Sequence, residues 1–252
     1  MFEELKIKNL IENAFCPDHG NFENIGIQAG GRIIWAGCKD CTAENIKREN
    51  ENLSRFALID SKRRELAAAA LPPRYRAKTL SAYQVEHDGH ENALNICAAF
   101  AENWKENYND GAGLLFYGNS GTGKTHLAAG IALEVLTAGG SVLYTRAAAV
   151  AREIKGSWGR GAKISEAEIY EKYLRPDLLI IDEIGMQYGS ESEKIILFEI
   201  INSRYENLKP VIAITNLTGE RLRDCIGAPS LDRLKEKGVS VCFDWPSMRA
   251  RI

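Results

Sequence analysis

The sequence predicts an α/β fold with a five-stranded parallel sheet, and two features of its second half carry that prediction. From residue 113 onward, short apolar runs alternate with segments of helical character. Near-continuous apolar strands separated by helices are typical of a parallel sheet covered on both faces. Glycine and acidic residues also gather where several runs end, the edge at which such sheets bind ligands. The runs are Leu114–Tyr117, Val142–Thr145, Leu178–Ile181, Val211–Thr215 and Val239–Phe243.

The composition is that of an ordinary globular protein. Of 252 residues, 45% are hydrophobic and 26% are charged, and the net charge is -2. This balance excludes a uniformly basic protein that coats DNA, although a local basic patch can still bind a phosphate backbone. No segment approaches the ~18 continuous apolar residues of a membrane span, and charges precede any apolar run in residues 1–10. We therefore expect no signal peptide, no membrane partner and a cytoplasmic, reducing location.

The N-terminal 42 residues contain a cluster of metal-ligating residue types. Cys16 and His19 form a C-x2-H pair, and Cys38 and Cys41 form a C-x2-C pair, with 18 residues between the two pairs. Each pair fits a tight knuckle with two ligands on one metal, so the four side chains predict a closed structural Zn²⁺ site. The intervening glycines, Gly26 among them, predict the turns of a short hairpin. The alternative is a coincidence of cysteines with a surface histidine.

The other three cysteines, Cys97, Cys225 and Cys242, lie in apolar surroundings. Disulfides are not expected in a reducing compartment. We therefore predict that these three residues are buried thiols.

Residues 43–70 contain no glycine or proline and many charged residues, which predicts one long helix. Its apolar stripe is thin, which fits either a solvated connecting helix or a helix that docks on a partner. Leu71-Pro72-Pro73 ends it, and a second helix is expected over Asn92–Trp104. These features divide the chain into a zinc-binding segment (1–42), a connecting helix (43–71) and a larger domain (72–252).

Residues 118–125 match the phosphate-binding pattern G-x-x-x-x-G-K-[ST] in full, between a predicted strand and a helix expected over His126–Thr137. The glycines let backbone N–H groups point at phosphate oxygens, and the helix N-terminus adds partial positive charge. We predict that Lys124 reaches the β- and γ-phosphates of ATP and that Thr125 ligates Mg²⁺. The cofactor-binding residues predicted here are Gly118, Asn119, Ser120, Gly121, Thr122, Gly123, Lys124, Thr125 and His126.

The apolar run 178–181 leads directly into two carboxylates, Asp182 and Glu183. We predict that Asp182 binds Mg²⁺, directly or through water, and that Glu183 orients and deprotonates the attacking water. The pair favours ATP hydrolysis over phosphoryl transfer to a small molecule. Asn216, at the end of the run 211–215, is predicted to contact the γ-phosphate or the water, although asparagine there is also a common turn former.

Two further segments carry weaker predictions. Arg233 fits an arginine finger that enters a neighbouring subunit's site, and its alternative is a surface ion pair. The basic residues Lys155, Arg160 and Lys163, together with Trp158, lie in a glycine-containing stretch suited to a single-stranded backbone and a stacked base. A mobile surface loop in any protein has the same composition.

Together these motifs resemble AAA+ ATPases of the DnaC type, which are bacterial and phage helicase loaders. The resemblance covers roughly residues 71–252 and implies an ATPase that binds the replicative helicase through an N-terminal region. It also implies nucleotide-dependent self-assembly and loading of the helicase onto single-stranded DNA. The matching segments are 118–125, Asp182–Gly185, Thr215-Asn216, Asp232-Arg233 and Phe243–Arg249, with Leu71–Arg76 and the helix 92–104 before them.

By matching position, the resemblance implies that Asn216 is sensor 1, Arg233 the finger and Arg249 a nucleotide-binding sensor 2 residue. Two departures accompany it. Pro229 stands where similar loaders carry a second arginine. Only nine residues follow Phe243, so the C-terminal helical lid of many AAA+ proteins is expected to be absent.

Two other functions remain open. One is an IstB-type transposition helper that acts on a transposase and duplex DNA, with the same ATPase core. The other is a nucleotide-gated binding module that requires no hydrolysis.

Overall fold

The computed structural model describes residues 8–29, 32–159, 161–186 and 190–248. The chain divides into two compact units, Met1–Arg63 and Arg64–Ile252. The long predicted helix is present as α1, Lys39–Ala68. No helix in the described ranges is long and apolar enough to cross a membrane.

The first unit contains a three-stranded antiparallel sheet in the order β1-β2-β3. β1 (Lys8–Cys16) pairs along its length with β2 (Gly20–Ala29), and β3 (Arg32–Trp35) pairs with the end of β2. The predicted hairpin is therefore extended by a third strand. Gly26 lies inside β2 rather than in a turn, and it pairs in register with Trp35. A Cβ at this position would come within 2.6 Å of the Trp35 ring, so glycine leaves room for that ring.

The second unit contains the predicted five-stranded parallel sheet, with strand order β5-β6-β7-β4-β8. A 3-10 turn over Pro73–Tyr75 follows α1. The strands are β4 (Gly113–Gly118), β5 (Val142–Arg146), β6 (Leu178–Ile184), β7 (Val211–Thr215) and β8 (Gly238–Phe243). The helices are α2 (Asp88–Glu102), α3 (Trp104–Asp110), α4 (Lys124–Thr137), α5 (Ala147–Ser157), α6 (Glu166–Leu174), α7 (Glu191–Glu206), α8 (Gly219–Ile226) and α9 (Ala228–Glu236).

The sheet has an apolar cluster on each face, as its near-continuous apolar strands predict. Alternate residues of one strand enter different clusters, because successive side chains of a strand point to opposite faces. Leu114 packs with residues of α2 and α4 on one face. Leu115 packs with residues of α5, α7 and α9 on the other. The central strands are therefore rigidly held at both faces.

β8 is an edge strand of the sheet, and buried and exposed side chains alternate along its second half. Val241 and Phe243 are buried, whereas Val239 and Cys242 are exposed. The prediction of a buried thiol is thus confirmed for Cys97 and wrong for Cys242, because only one face of this edge strand is covered. Cys225 of α8 is only partly buried, so the prediction is also wrong there. Residues 244–248, the last that are described, contain no α-helix.

Arg204 of α7 fixes the backbone just before two strands, β6, which carries the predicted acids, and β7, which leads to Asn216. Its side chain is fully buried, and burial lowers its pKa to about 10, so it remains charged at neutral pH. The guanidinium donates to backbone carbonyls at the end of α6 and just before β6 and β7. These acceptors are Tyr173, Leu174, Pro176, Asp177 and Pro210, at 2.8–3.2 Å.

We expect Arg204→Met to lower the free energy of unfolding by roughly 3–5 kcal/mol, because several buried carbonyls lose their donor together. Chemical denaturation measures the change. The matched control is Arg221→Met, which removes an exposed guanidinium from α8 and is expected to change stability by at most about 0.5 kcal/mol. Equal effects of the two substitutions would contradict a structural role for Arg204.

Candidate nucleotide site and candidate metal centre

The carboxyl ends of β4, β6 and β7 bring the predicted motifs to one edge of the sheet. The glycine-rich loop leaves β4, the two acids end β6, and Asn216 follows β7. Together they line a cavity of about 670 Å³, a size typical of small-molecule sites. The predicted residues that line it are Ser120, Gly121, Thr122, Gly123, Lys124, Thr125, His126, Asp182, Glu183 and Asn216.

The loop conformation requires glycine at two of the pattern's positions. Gly118 has φ 122° and its Cβ would lie 2.3 Å from the carbonyl oxygen of Phe243. Gly123 has φ 96° and its Cβ would lie 2.6 Å from the ring of Tyr83. A side chain at either position is therefore excluded both by backbone strain and by space.

The cavity offers a cationic wall that fits a polyphosphate. Lys124, the first residue of α4, is buried, and its Nζ donates to the carbonyls of Gly118, at 2.9 Å, and Asn119. The ammonium thus lies inside the curl of the loop. Arg74, Lys78 and Arg146 line the same cavity, whose charge is suited to a strongly anionic ligand.

Asp182 is buried and held by three hydrogen bonds. Its Oδ2 accepts from Thr125 Oγ1 at 3.0 Å and from Tyr144 OH at 2.7 Å, and its Oδ1 accepts from the Glu183 N–H at 2.7 Å. Burial, followed by the charge of Asp182, raises the pKa of Tyr144, so the phenol remains a donor. Thr125 and Asp182 are therefore adjacent, as joint binding of a divalent cation requires.

A backbone irregularity brings both acids to the cavity. The β6–β7 register shifts between Ile181 and Ile184, and Glu183 has φ 57°, in the left-handed region. In a regular strand, successive side chains point to opposite faces, whereas a bulge re-aims one of them. Here Asp182 and Glu183 both line the cavity. Arg146 Nε lies 3.3 Å from Glu183 Oε2, and this ion pair raises the pKa of Arg146.

Tyr144 and Arg146, both on β5, were not predicted as site residues. Arg146 pairs in register with Asp182, so its position follows from the strand order. The sequence signal for Arg146 is that a charged residue directly follows the second apolar run, at the strand end where such sheets bind ligands.

Two predicted loop residues do not line the cavity. These are Gly118 and Asn119. The Asn119 N–H donates to Phe243 O at 2.7 Å, and its side chain donates to Asp244 O at 2.9 Å. His126 lines the cavity, with Nε2 2.9 Å from Thr79 O. Its pKa is lowered by burial, which favours the neutral ring.

Arg233 is not brought to this cavity. Its guanidinium lies 4.6 Å from the centroid of the Tyr205 ring, and its Nε donates to Asn202 Oδ1 at 3.3 Å. It lines a separate small cavity with Gly113 and Val211, the first residues of β4 and β7. That edge of the sheet is roughly 17 Å from the phosphate-loop edge, at about 3.3 Å per strand residue.

Arg249 lies outside the described residues. The structure describes the chain as far as Met248, whose N–H donates to Gly121 O at 2.9 Å.

The stretch considered for single-stranded DNA already contacts acids. Lys155 Nζ lies 3.0 Å from Glu193 Oε1, and Trp158 Nε1 donates to Glu166 Oε2 at 3.0 Å. These contacts compete with a nucleic-acid backbone for the same groups. The stretch therefore provides no structural argument for DNA binding.

The N-terminal Cys/His residues converge as their spacing predicts. Cys16 ends β1, His19 lies in the next turn, and Cys38 and Cys41 flank the start of α1. Their ligating atoms all lie within 4.8 Å of one another. Cys41 Sγ is 3.4 Å from Cys16 Sγ and 3.3 Å from His19 Nδ1. A tetrahedral zinc ion separates such ligands by about 3.6–3.8 Å, so the donor set fits zinc.

Two groups around the ligands support this fit. His19 Nε2 lies 3.3 Å from Glu44 Oε1, and a carboxylate at the outer ring nitrogen orients a metal-binding histidine. The backbone N–H of Asp18, with the side chain of His19, lowers the pKa of Cys16, whereas the hydrogen bond with Cys16 raises the pKa of Cys41, so Cys16 is the first of the pair to lose its proton. A thiolate is the form that ligates a metal. Glu44 reaches His19 because of where α1 lies relative to the ligands, and the spacing of the ligands in the sequence does not reveal this contact.

We expect the purified protein to hold one zinc ion per chain, and Cys38→Ser or Cys41→Ser to lose it, because a closed site needs all four ligands. Inductively coupled plasma mass spectrometry measures the content. Cys242→Ser, which alters an exposed cysteine outside the cluster, is the matched control and retains the metal. Glu44→Gln is expected to keep the ion but to weaken its affinity about 10–100-fold.

A zinc-free, folded wild-type protein would contradict the site. Equal zinc content in Cys38→Ser and Cys242→Ser would contradict the assignment of the ligands.

Comparison with known proteins finds matches over most of the chain. A family model described as IstB-like ATP binding protein matches residues 49–251. Replicative helicase loader DnaC of Buchnera aphidicola subsp. Schizaphis graminum is 30% identical over 212 residues, which are 84% of this chain and 82% of that protein. Replicative helicase loader DnaC of Escherichia coli K12 is 33% identical over 185 residues, 73% of this chain and 74% of that protein.

A solved structure described as the DnaC helicase loader shares the fold. It superposes with a TM-score of 0.62 at 23% identity and covers 69% of this chain and 100% of its own. The α/β architecture with its five-stranded parallel sheet is therefore that of AAA+ proteins.

Proposed function

Because this chain belongs to the family of AAA+ ATPases that comprises IstB-like ATP-binding proteins and DnaC-type helicase loaders, we propose that it hydrolyses ATP. We propose further that it acts in the cytoplasm, binds a replicative helicase and loads that helicase onto single-stranded DNA. The observation that carries the first part is the convergence of the phosphate loop, Asp182 and Glu183 on one cavity.

The residues around the cavity have distinct roles in this proposal. Lys124 exchanges its loop carbonyls for phosphate oxygens, and the N–H groups at the start of α4 bind the same phosphates. Thr125 and Asp182 hold Mg²⁺, which neutralises charge that develops on the phosphates. Glu183 accepts a proton from the attacking water, and Asn216 orients that water or the γ-phosphate.

The position of Arg233 supports assembly. Arg233 lies near the amino-terminal ends of β4 and β7, whereas the phosphate loop lies at the carboxyl end of β4. A role in hydrolysis therefore requires that Arg233 enter the site of a neighbouring copy. The Tyr205 ring and Asn202 hold the guanidinium on the surface of α9 in the single chain. Nucleotide-dependent self-assembly then completes each site between two copies.

We expect Glu183→Gln and Arg233→Ala each to lower ATP hydrolysis at least about tenfold with nearly unchanged nucleotide affinity, because each removes a group used only in the transition state. Phosphate release measures the rate. An equimolar mixture of the two variants is expected to recover activity, because an Arg233→Ala subunit keeps Glu183 and receives Arg233 from its neighbour.

Activity of the mixture equal to the mean of the two variants would remove Arg233 from the neighbouring site. If Glu183→Gln abolishes hydrolysis but still supports replication in a complementation assay, the protein is a nucleotide-gated binding module instead.

The first unit supplies the surface for the helicase in this proposal. Its sheet presents large apolar side chains on one face, because Ile11 lies opposite Ile25 and Ile27 lies opposite Ile34 in the strand register. Apolar patches of this extent mark interaction sites. The members of this apolar face are Ile11, Phe15, Ile25, Ile27 and Ile34, which are 46–71% exposed.

Two observations favour a protein partner for this face. The family model begins at residue 49, so the face lies outside the region that defines the shared ATPase. By register this face also carries Glu23, opposite Asn13, and Arg32, opposite Ala29, and this mixed charge differs from the basic surface that suits nucleic acid. A replicative helicase is the partner that the names of the relatives indicate.

We expect this protein to form a discrete complex with the replicative helicase of its own source in the presence of ATP and Mg²⁺, and mass photometry detects it. The double variant Ile11→Ser/Ile34→Ser is expected to weaken the complex at least about tenfold, because it removes two large exposed side chains, one from each outer strand of the face. Ile33→Ser is the matched control, since Ile33 is exposed on the opposite face of the same strand.

An equal loss with Ile33→Ser would contradict the choice of face. No complex with folded, ATP-bound wild-type protein would contradict the helicase partner. A tight, ATP-dependent complex with duplex DNA and a transposase would then favour the IstB-type function, with which the family description also agrees.

A further inference from the structure

One backbone carbonyl of the phosphate loop accepts hydrogen bonds from two aromatic side chains. Thr122 is fully buried, and its carbonyl accepts from Tyr83 OH at 3.2 Å and from Trp245 Nε1 at 3.0 Å. Tyr83 lies 39 residues before the loop residue and Trp245 lies 123 residues after it. Neither aromatic belongs to the phosphate-binding pattern.

The segment 243–248 makes further bonds to the same loop. The Asn119 N–H donates to Phe243 O at 2.7 Å, and the Asn119 side chain donates to Asp244 O at 2.9 Å. The Met248 N–H donates to Gly121 O at 2.9 Å. Three residues of the loop are therefore bonded to a segment that follows the edge strand β8.

These bonds decide which way the loop's backbone groups point. A carbonyl oxygen that faced the cavity would repel a phosphate oxygen, whereas an N–H that faces it binds one. Tyr83, Trp245 and the Met248 N–H occupy the carbonyls of Gly121 and Thr122 with hydrogen bonds inside the protein, which opposes their turning toward a phosphate. A loop fixed in this orientation before binding loses less conformational freedom on binding, which increases affinity.

Trp245 is itself rigidly placed. Its ring packs against Phe243 at 4.9 Å and His90 at 4.8 Å between centroids, and the residue is buried. A phenylalanine at this position keeps much of the aromatic packing and loses the Nε1–H donor. The hydrogen bond can therefore be tested apart from the packing.

We propose that Trp245 is a positioning residue for nucleotide binding, and that the segment 243–248 sets the affinity of the phosphate loop for a nucleoside di- or triphosphate. The inference rests on the nucleotide-binding part of the proposed function and adds a residue outside the phosphate-binding pattern and the acidic pair. Tyr83 shares the role, because it donates to the same carbonyl.

Trp245→Phe is expected to raise the dissociation constant for fluorescent methylanthraniloyl-ADP about 5–10-fold, the effect of one lost hydrogen bond to a buried carbonyl. The turnover number at saturating ATP stays within about twofold, because the loss affects binding of ground state and transition state alike. The matched control, Trp158→Phe, loses an Nε1–H that donates to Glu166 in an exposed position and leaves the affinity unchanged.

The double variant Tyr83→Phe/Trp245→Phe gives the sharper result. It is expected to weaken binding by more than the product of the two single effects, because each single variant leaves Thr122 O with the other aromatic donor. Thermal unfolding without nucleotide monitors the fold of each variant.

Hydrogen exchange provides a readout that a purely structural role would not change. By thermodynamic linkage, nucleotide bound to the loop must stabilise the segment that stabilises the loop. We expect methylanthraniloyl-ADP to slow exchange at the Met248 amide in the wild-type protein and to slow it less in Trp245→Phe.

Equal affinity of wild type, Trp245→Phe and the double variant would overturn the inference, as would a nucleotide effect on the Met248 amide that Trp245→Phe leaves unchanged. Both outcomes are distinct from failure of the proposed function, in which the folded wild-type protein itself binds no nucleotide.

Discussion

The order of the parallel strands is the constraint on which the nucleotide site depends. β4 carries the phosphate loop and β6 carries the acids, yet β7 lies between them in the sheet. Parallel strands place their carboxyl ends at one edge, so a single hydroxyl group can span the gap. Thr125 makes that connection, since it begins α4 with Lys124 and donates to Asp182. Loss of the parallel order would separate the motifs without altering any of them.

The sequence predicted the parts of the site that are local in the chain. The glycines at 118 and 123, the acids at the end of β6 and the Cys/His pairs are defined by spacing within a few residues, where backbone geometry is decided by short-range sterics. Tyr144 and Trp245 were missed because their roles arise from tertiary contact alone. Tyr144 reaches Asp182 from a neighbouring strand, and Trp245 reaches Thr122 across 123 residues.

The same reasoning explains the differences in the first unit and at the sheet edge. Spacing indicated the metal ligands but not Glu44, whose approach to His19 depends on how α1 leaves the site. Gly26 reads as a turn residue because glycine is common in turns, whereas it lies in β2 beneath the Trp35 ring. Cys242 reads as buried from its apolar neighbours, and only the edge position of β8 reveals that alternate side chains are exposed.

Arg233 and the phosphate loop lie at opposite ends of the parallel strands, and this separation would allow nucleotide binding and hydrolysis to be regulated separately. The groups that bind phosphate are held within one chain, partly by Trp245, so a single copy is equipped to bind nucleotide. In the proposed mechanism, the charge that stabilises the transition state is that of Arg233, which lines a different cavity from the loop and is supplied by a neighbouring copy. On this proposal, binding and hydrolysis are separable steps, since the first needs one chain and the second needs two. Pro229, the second residue of α9, favours the helical backbone at the start of this helix, and Arg233, four residues later, lies about one turn further along it.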